Sequence, residues 1–155
     1  MKFVKSQLEL IDFFILNTKY KFVDTVESNL DIKKLFSEYE MDIDFMPKIK
    51  ENNQYFIYIK ISINEIENPL PGYSIFVEGV CIFDFNENDV IEDNVKAEYI
   101  WSSGVSIAIN NLRNYISTQT SYFPFGKFNL PAVDLTNLIN QKNLLIESQK
   151  NIGNI

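Results

Sequence analysis

The chain has 155 residues, 46% hydrophobic and 14% aromatic, with 14 basic against 21 acidic side chains and a net charge of −7. This length can bury a core of its own, and the apolar content excludes an intrinsically disordered chain. The acidic balance excludes the basic footprint that nucleic acid and anionic membrane surfaces require.

The elements follow in chain order. Leu8 to Phe22 ends in a clean alternation, with Phe14, Leu16, Thr18, Tyr20 and Phe22 on one side of a predicted strand. Asp24 to Lys34 reads as a connection with a helical turn. A second alternation sets Leu35, Tyr39, Met41, Ile43 and Phe45 against Glu38, Glu40, Asp42 and Asp44, one face apolar and the other acidic. After a turn at Glu51 to Gln54, Tyr55, Ile57, Ile59, Ile61 and Ile63 mark one face of a third strand. Phe56, Tyr58, Lys60, Ser62 and Asn64 mark its other face. Asn68-Pro69-Leu70-Pro71-Gly72 is a strong turn signal. The fourth strand, Tyr73 to Phe85, has Tyr73, Ile75, Val77, Cys81, Phe83 and Phe85 inward. Its opposite face (Ser74, Phe76, Glu78, Val80, Ile82, Asp84) is mixed, so something partly covers it.

Asn86 to Asn94 is acidic and loop-like, and Val95 to Trp101 reads as a short helical turn. Ser102 or Ser103 is placed to cap a long helix whose stripe is Val105, Ala108, Ile109, Leu112, Tyr115, Ile116 and Gln119. Asp134 is the expected N-cap of a last helix, Leu135 to about Lys150, with Leu138, Lys142 and Leu145 on its stripe. Four strands followed by two helices predict an α+β fold in one domain, residues 1–150, with a frayed 151–155.

Reactive chemistry is sparse. The sequence has no histidine, which removes the commonest general base and metal ligand. Cys81, the only cysteine, sits between Val80 and Ile82 and reads as a small buried hydrophobe. Asp42 with Asp44, or Asp84 with Glu87, reads as solvated charge in the absence of an EF-hand spacing. No cofactor, metal or catalytic residue is expected, and the chain reads as a non-enzyme. Glu9 and Asp12 interrupt the apolar stretch behind Lys2 and Lys5, and no apolar run reaches about 18 residues. The expected location is cytoplasmic.

Between the two helices lie Tyr122, Phe123, Phe125 and Phe128, grouped around Pro124 and Gly126. Loops ordinarily face water, so these rings either fold back onto the core or form an apolar binding surface.

Three segments resemble the SecB-type export chaperones and their SecB-like relatives. Leu112-Arg113-Asn114-Tyr115-Ile116-Ser117 resembles the family's long helix. Phe128-Asn129-Leu130-Pro131-Ala132-Val133-Asp134 resembles the Leu-Pro loop before the last helix. Tyr55 to Phe85, with Glu78-Gly79-Val80 in its second strand, resembles the centre of the sheet. The likeness runs in order from Leu8 to about Gln141, and departs from the family at Asp24–Lys34 and Asn86–Trp101.

The resemblance implies a four-stranded antiparallel sheet backed by helices and a homotetramer, a dimer of dimers with the long helix at subunit interfaces. The interface residues would be Val105, Ile109, Leu112 and Ile116. It further implies an ATP-independent holdase for unfolded preproteins, with aromatic grooves beneath the last helix. The client surface expected on this reading is Phe76, Trp101, Tyr122, Phe123, Phe125, Phe128, Leu138 and Leu145. Glu38, Glu40, Asp42 and Asp44 would dock a basic segment of the translocation motor SecA; the reading set against it is a solvated face that discourages edge-to-edge aggregation. Two alternatives stay open: a chaperone dedicated to one partner such as an antitoxin, and a carrier of small apolar ligands.

Overall fold

The computed structural model describes residues 1–2, 4–25, 29–49, 54–86 and 91–152, with side chains described as far as 149. Most of the turn at 51–54, together with Glu87, Asp89 and residues 153–155, lies outside the described residues.

Four antiparallel strands form one sheet in the order β1-β4-β3-β2: β1 (Leu8–Val23), β2 (Met41–Ile49), β3 (Tyr55–Ile63) and β4 (Gly72–Phe85). The five odd-numbered residues from Tyr55 to Ile63 and their partners on β4 are buried, as period-two burial requires. Cys81 is fully buried among them, and desolvation pushes its thiol up to about 12, so it is an inert hydrophobe at neutral pH.

β1 departs from simple alternation. Its register against β4 shifts between Leu10 and Asp12 and again between Ile15 and Asn17. Each bulge turns the following side chains to the opposite face. Phe14 therefore lies opposite Val80, on the side away from the helices, whereas Thr18, Tyr20 and Phe22 lie opposite Val77, Ile75 and Tyr73 on the core side. The alternation that puts Phe14 with Tyr20 is corrected by this second bulge.

The next correction concerns Leu35. Asp31 accepts hydrogen bonds from the backbone N–H groups of Lys33 and Lys34, which caps a short helix, α1 (Ile32–Ser37). Leu35 is buried in that helix and Glu38 is its C-cap, so the second strand begins only at Met41.

The helical segment after β4 is continuous. α2 (Asp93–Tyr99), a π turn (Ile100–Gly104) and α3 (Val105–Thr120) follow without a break. Ser102 caps nothing; its hydroxyl donates to the carbonyl of Glu98 one turn back. The backbone at Gly104 approaches β3 so closely that a Cβ there would lie 2.7 Å from the Ile57 Cδ1. The extra residue of the π turn turns the apolar stripe of α3 onto the sheet. α4 (Leu135–Ile152) begins as expected at Asp134, whose carboxylate accepts from the Asn137 N–H at 3.0 Å.

The β3–β4 connection is organised by Asn64, which is fully buried with φ of 52°. Its amide donates to the carbonyls of Leu70 and Tyr73, and its side-chain oxygen accepts from the Leu70 N–H. Gly72 ends the loop at φ 102°, where a Cβ would overlap the Tyr39 hydroxyl. That hydroxyl donates to Pro71 O and accepts from the Tyr73 N–H. Replacing Gly72 by Ala should cost about 2 kcal/mol, combining left-handed strain with a displaced buried hydroxyl. Thermal denaturation with a circular dichroism readout checks it.

Candidate functional site

The loop after α3 divides its aromatics. Phe128 is buried between Phe36 and Tyr39, and its N–H donates to the Thr120 hydroxyl at 2.8 Å. Phe123 and Phe125 are half-buried, and Tyr122 is 84% exposed. Tyr73 is the centre of the cluster, in ring contact with Tyr20, Phe36, Phe123 and Phe125. Its hydroxyl donates to Gly126 O, and burial pushes its pKa up to about 12. Phe128 is thus a core residue and not part of an accessible client surface.

The segments singled out by their likeness to one family meet in space. The guanidinium of Arg113 on α3 donates to Pro131 O at 2.9 Å and to Asn110 Oδ1 at 2.6 Å. Ser117 donates to Asn129. Arg113 and Ser117 therefore tie the Leu-Pro loop along α3.

Three of the depressions among the described residues hold expected client side chains. The first, about 230 Å³, lies along the β1 side and is lined by Thr18, Tyr20, Ile75, Val77, Tyr115 and Phe123, among others. Its lining is mainly apolar, and Tyr20 stacks on Phe123 with ring centroids 3.8 Å apart. The second, about 350 Å³, lies at the far end of β2 and is lined by Pro47, Ile49, Tyr55, Ala97, Ile100 and Trp101, with Lys48 and Asp93 at its polar margin. Trp101 packs edge-on against Phe45. The third, about 290 Å³, separates β2 from α4 and includes Leu138 and Leu145 in its wall.

The expected client residues are therefore not one surface. Phe123 belongs to the first groove, Trp101 to the second, and Leu138 and Leu145 to the third. Phe76 lies on the opposite face of the sheet, where the Lys19 ammonium sits 5.3 Å from its ring centre. Tyr20 and Tyr115 of the first groove, and Pro47 and Ile49 of the second, did not stand out in the sequence. Ile49 is 68% exposed at the end of β2, an apolar residue that the strand alternation could have flagged.

The expected interface stripe is also corrected. Val105, Ile109, Leu112 and Ile116 are 0–4% exposed and belong to the chain's own core. The sheet takes up these four side chains, while Tyr115 and Gln119 of the same stripe stay open beside the first groove. Exposed apolar side chains lie instead on β1, at Leu10, Ile11, Phe14, Leu16 and Tyr20.

Nor do the four carboxylates form one row. Glu38 caps α1 and Glu40 precedes β2, so only Asp42 and Asp44 share the sheet face. Asp44 is clasped by Lys142 of α4 at 2.6 Å and approached by Lys60 at 3.4 Å. Burial alone would raise the Asp44 carboxyl, but the Lys142 hydrogen bond and the charges of Lys142 and Lys60 outweigh it and hold it below the usual range.

A depressed carboxylate favours the folded state above its unfolded pKa, and that contribution is lost as pH falls through the lowered value. The attachment of α4 should therefore loosen in acid and in high salt, since the pair is partly exposed. Hydrogen exchange of α4 amides should rise in Asp44→Asn at neutral pH, to the level that the native protein reaches only in acid.

Among the described residues, no helix is long and apolar enough to cross a membrane. No known family profile and no curated protein matches this sequence. Comparison of folds gives a likeness to the Mycobacterium tuberculosis Rv1957 SecB-like chaperone, solved in complex with a ChAD peptide from the Rv1956 HigA1 antitoxin. The TM-score is 0.56 at 13% identity, covering 83% of this chain and 88% of that one. At that identity the likeness speaks for architecture: the chain has an α+β, SecB-like fold.

Proposed function

We propose that the protein is an ATP-independent holdase that binds unfolded polypeptide segments in its apolar grooves and acts without catalysis. The observation that carries this reading is the groove at Tyr20 and Phe123. There, stacked aromatic rings stay partly open to solvent beside β1, a strand paired on one side only among the described residues. Apolar contact is non-directional, so such a groove accepts many sequences that share only exposed hydrophobic side chains. A folded protein hides those side chains and is not bound.

Assembly as a dimer of dimers would use the exposed β1 edge, with Leu10, Ile11 and Leu16, in place of the buried stripe of α3. In an export role, the exposed Glu40 and Asp42 would meet a basic segment of SecA. The deciding measurement is aggregation of a slow-folding substrate, followed by light scattering with increasing amounts of this protein and no nucleotide. Suppression near stoichiometric ratio, with no binding of the same substrate once folded, is the expected result. Suppression that requires nucleotide, or none at all, refutes the reading.

A second reading is favoured by the antitoxin peptide in the Mycobacterium complex: the clients could reduce to one dedicated partner. Affinity purification from the native host separates the two, one co-eluting protein against many.

A further inference from the structure

The sheet face away from α3 carries a pattern that strand register makes explicit. Each row across the sheet takes one residue from β2, β3, β4 and β1. One row is Met46, Tyr58, Val80 and Phe14, apolar from edge to edge. Met46 is 48% and Phe14 49% exposed at its two ends, whereas Val80 near the middle is 6% exposed. The adjacent row on one side is Lys48, Phe56, Ile82 and Asp12. On the other side come Asp44, Lys60, Glu78 and Asn17, and then Asp42, Ser62, Phe76 and Lys19.

Apart from Asp44, which is matched by Asn17 and held by Lys142 of α4, the charges in these rows are distributed antisymmetrically about the line between β3 and β4. Lys48 on β2 is matched by Asp12 on β1, Lys60 on β3 by Glu78 on β4, and Asp42 on β2 by Lys19 on β1. A two-fold axis running along the strands maps each row onto itself with its ends exchanged. Lys48 of one copy then meets Asp12 of the second copy, Lys60 meets the second copy's Glu78, and Asp42 meets the second copy's Lys19. The apolar row falls on itself: Met46 on the second copy's Phe14, and Tyr58 on its Val80. Lys48 and Lys19 lie over the Tyr58 and Phe76 rings, and a depression of about 250 Å³ lined by Met46, Lys48, Tyr58, Lys60 and Glu78 opens between the rows.

From this self-complementarity we propose that the outer sheet face is an interface with a second copy of this chain, the two sheets packed back to back with their strands nearly aligned. Aligned sheets pack about 10 Å apart at angles near 30°, and an isologous contact requires this match of a patch with itself. The four rows cover a patch about 20 Å by 24 Å from strand spacing and rise. That is smaller than the about 800 Å² per partner of a standard interface, so the contact is a weak one that joins smaller assemblies.

Sedimentation velocity across a micromolar concentration range tests it, on the native protein and four variants. Lys48→Glu and Asp12→Lys each place like charges at both symmetric contacts. Each should raise the dissociation constant of this step at least tenfold, and the double variant should restore it to within threefold of native. Lys48 is on β2, at the edge opposite β1, so association through β1 edges would not respond to Lys48→Glu. Ile82→Lys, facing outward in the apolar band, should abolish the step while circular dichroism shows an intact fold. A native protein with no concentration-dependent association, an unchanged Lys48→Glu variant, or a double variant no better than the singles overturns the proposal.

Discussion

Replacing Asn64 by Ala should cost about 3–5 kcal/mol and lower the melting temperature by roughly 10 °C. The residue is fully buried, and its side chain makes three hydrogen bonds at 2.8–2.9 Å, while its own N–H donates to Glu40 O. Truncation leaves buried carbonyls of Leu70 and Tyr73 and the Leu70 N–H without their partner, each worth about 1–3 kcal/mol, less what water recovers. A conversion of about 2–4 °C per kcal/mol applies at this chain length. Asn64→Gly relieves the left-handed strain at φ 52° but not the lost hydrogen bonds, so it should recover only about 1 kcal/mol.

Asn64→Asp gives an independent check through pH. A buried carboxylate facing two carbonyl oxygens has a raised pKa, so this variant should be more stable at pH 4 than at pH 7. Chemical denaturation at the two pH values measures it. If Asn64→Ala melts within 2 °C of native, the loop is not organised as described.

Phe123→Ser should have the larger effect on function. The ring is half-buried, so its removal should cost about 1–2 kcal/mol of stability, less than a full core truncation. Its contribution to client contact, on the order of 2 kcal/mol, corresponds to a loss of binding of about tenfold or more. Tyr20→Ser should behave similarly, and the pair should be non-additive because the rings stack at 3.8 Å. Phe128→Ala should do the reverse. It should lose about 3–5 kcal/mol of stability while the folded fraction binds clients normally, since Phe128 is 1% exposed. Fluorescence anisotropy with an unfolded, labelled client, read beside thermal melts, separates the two behaviours. Client affinity within twofold of native in Phe123→Ser refutes the groove assignment.

Much of the architecture is carried by local pattern. The strict alternation of Tyr55 to Ile63 and Tyr73 to Phe85 determines which face of β3 and β4 is buried, because a one-residue slip would expose the entire set. The three- and four-residue spacing from Val105 to Ile116 determines α3, and Asp134 determines where α4 begins. What tertiary structure alone decided are the places where local pattern has two solutions. The alternation from Leu35 onward fits a strand as well as it fits α1, and the Asp31 cap together with burial of Leu35 selects the helix.

The bulges of β1 arise from register against β4, and no single-strand pattern reveals that Phe14 and Tyr20 face opposite sides. A π turn at Ile100–Gly104 joins two helical segments that read as separate, with Gly104 packed against the Ile57 side chain of β3. The aromatic loop is the clearest case. Four rings close in sequence point to an apolar site, yet only packing against Tyr20, Tyr73 and Phe36 decides which ring becomes core and which stays open. Burial is a competition among all the surfaces that a folded chain brings together, and sequence neighbours do not compete on equal terms.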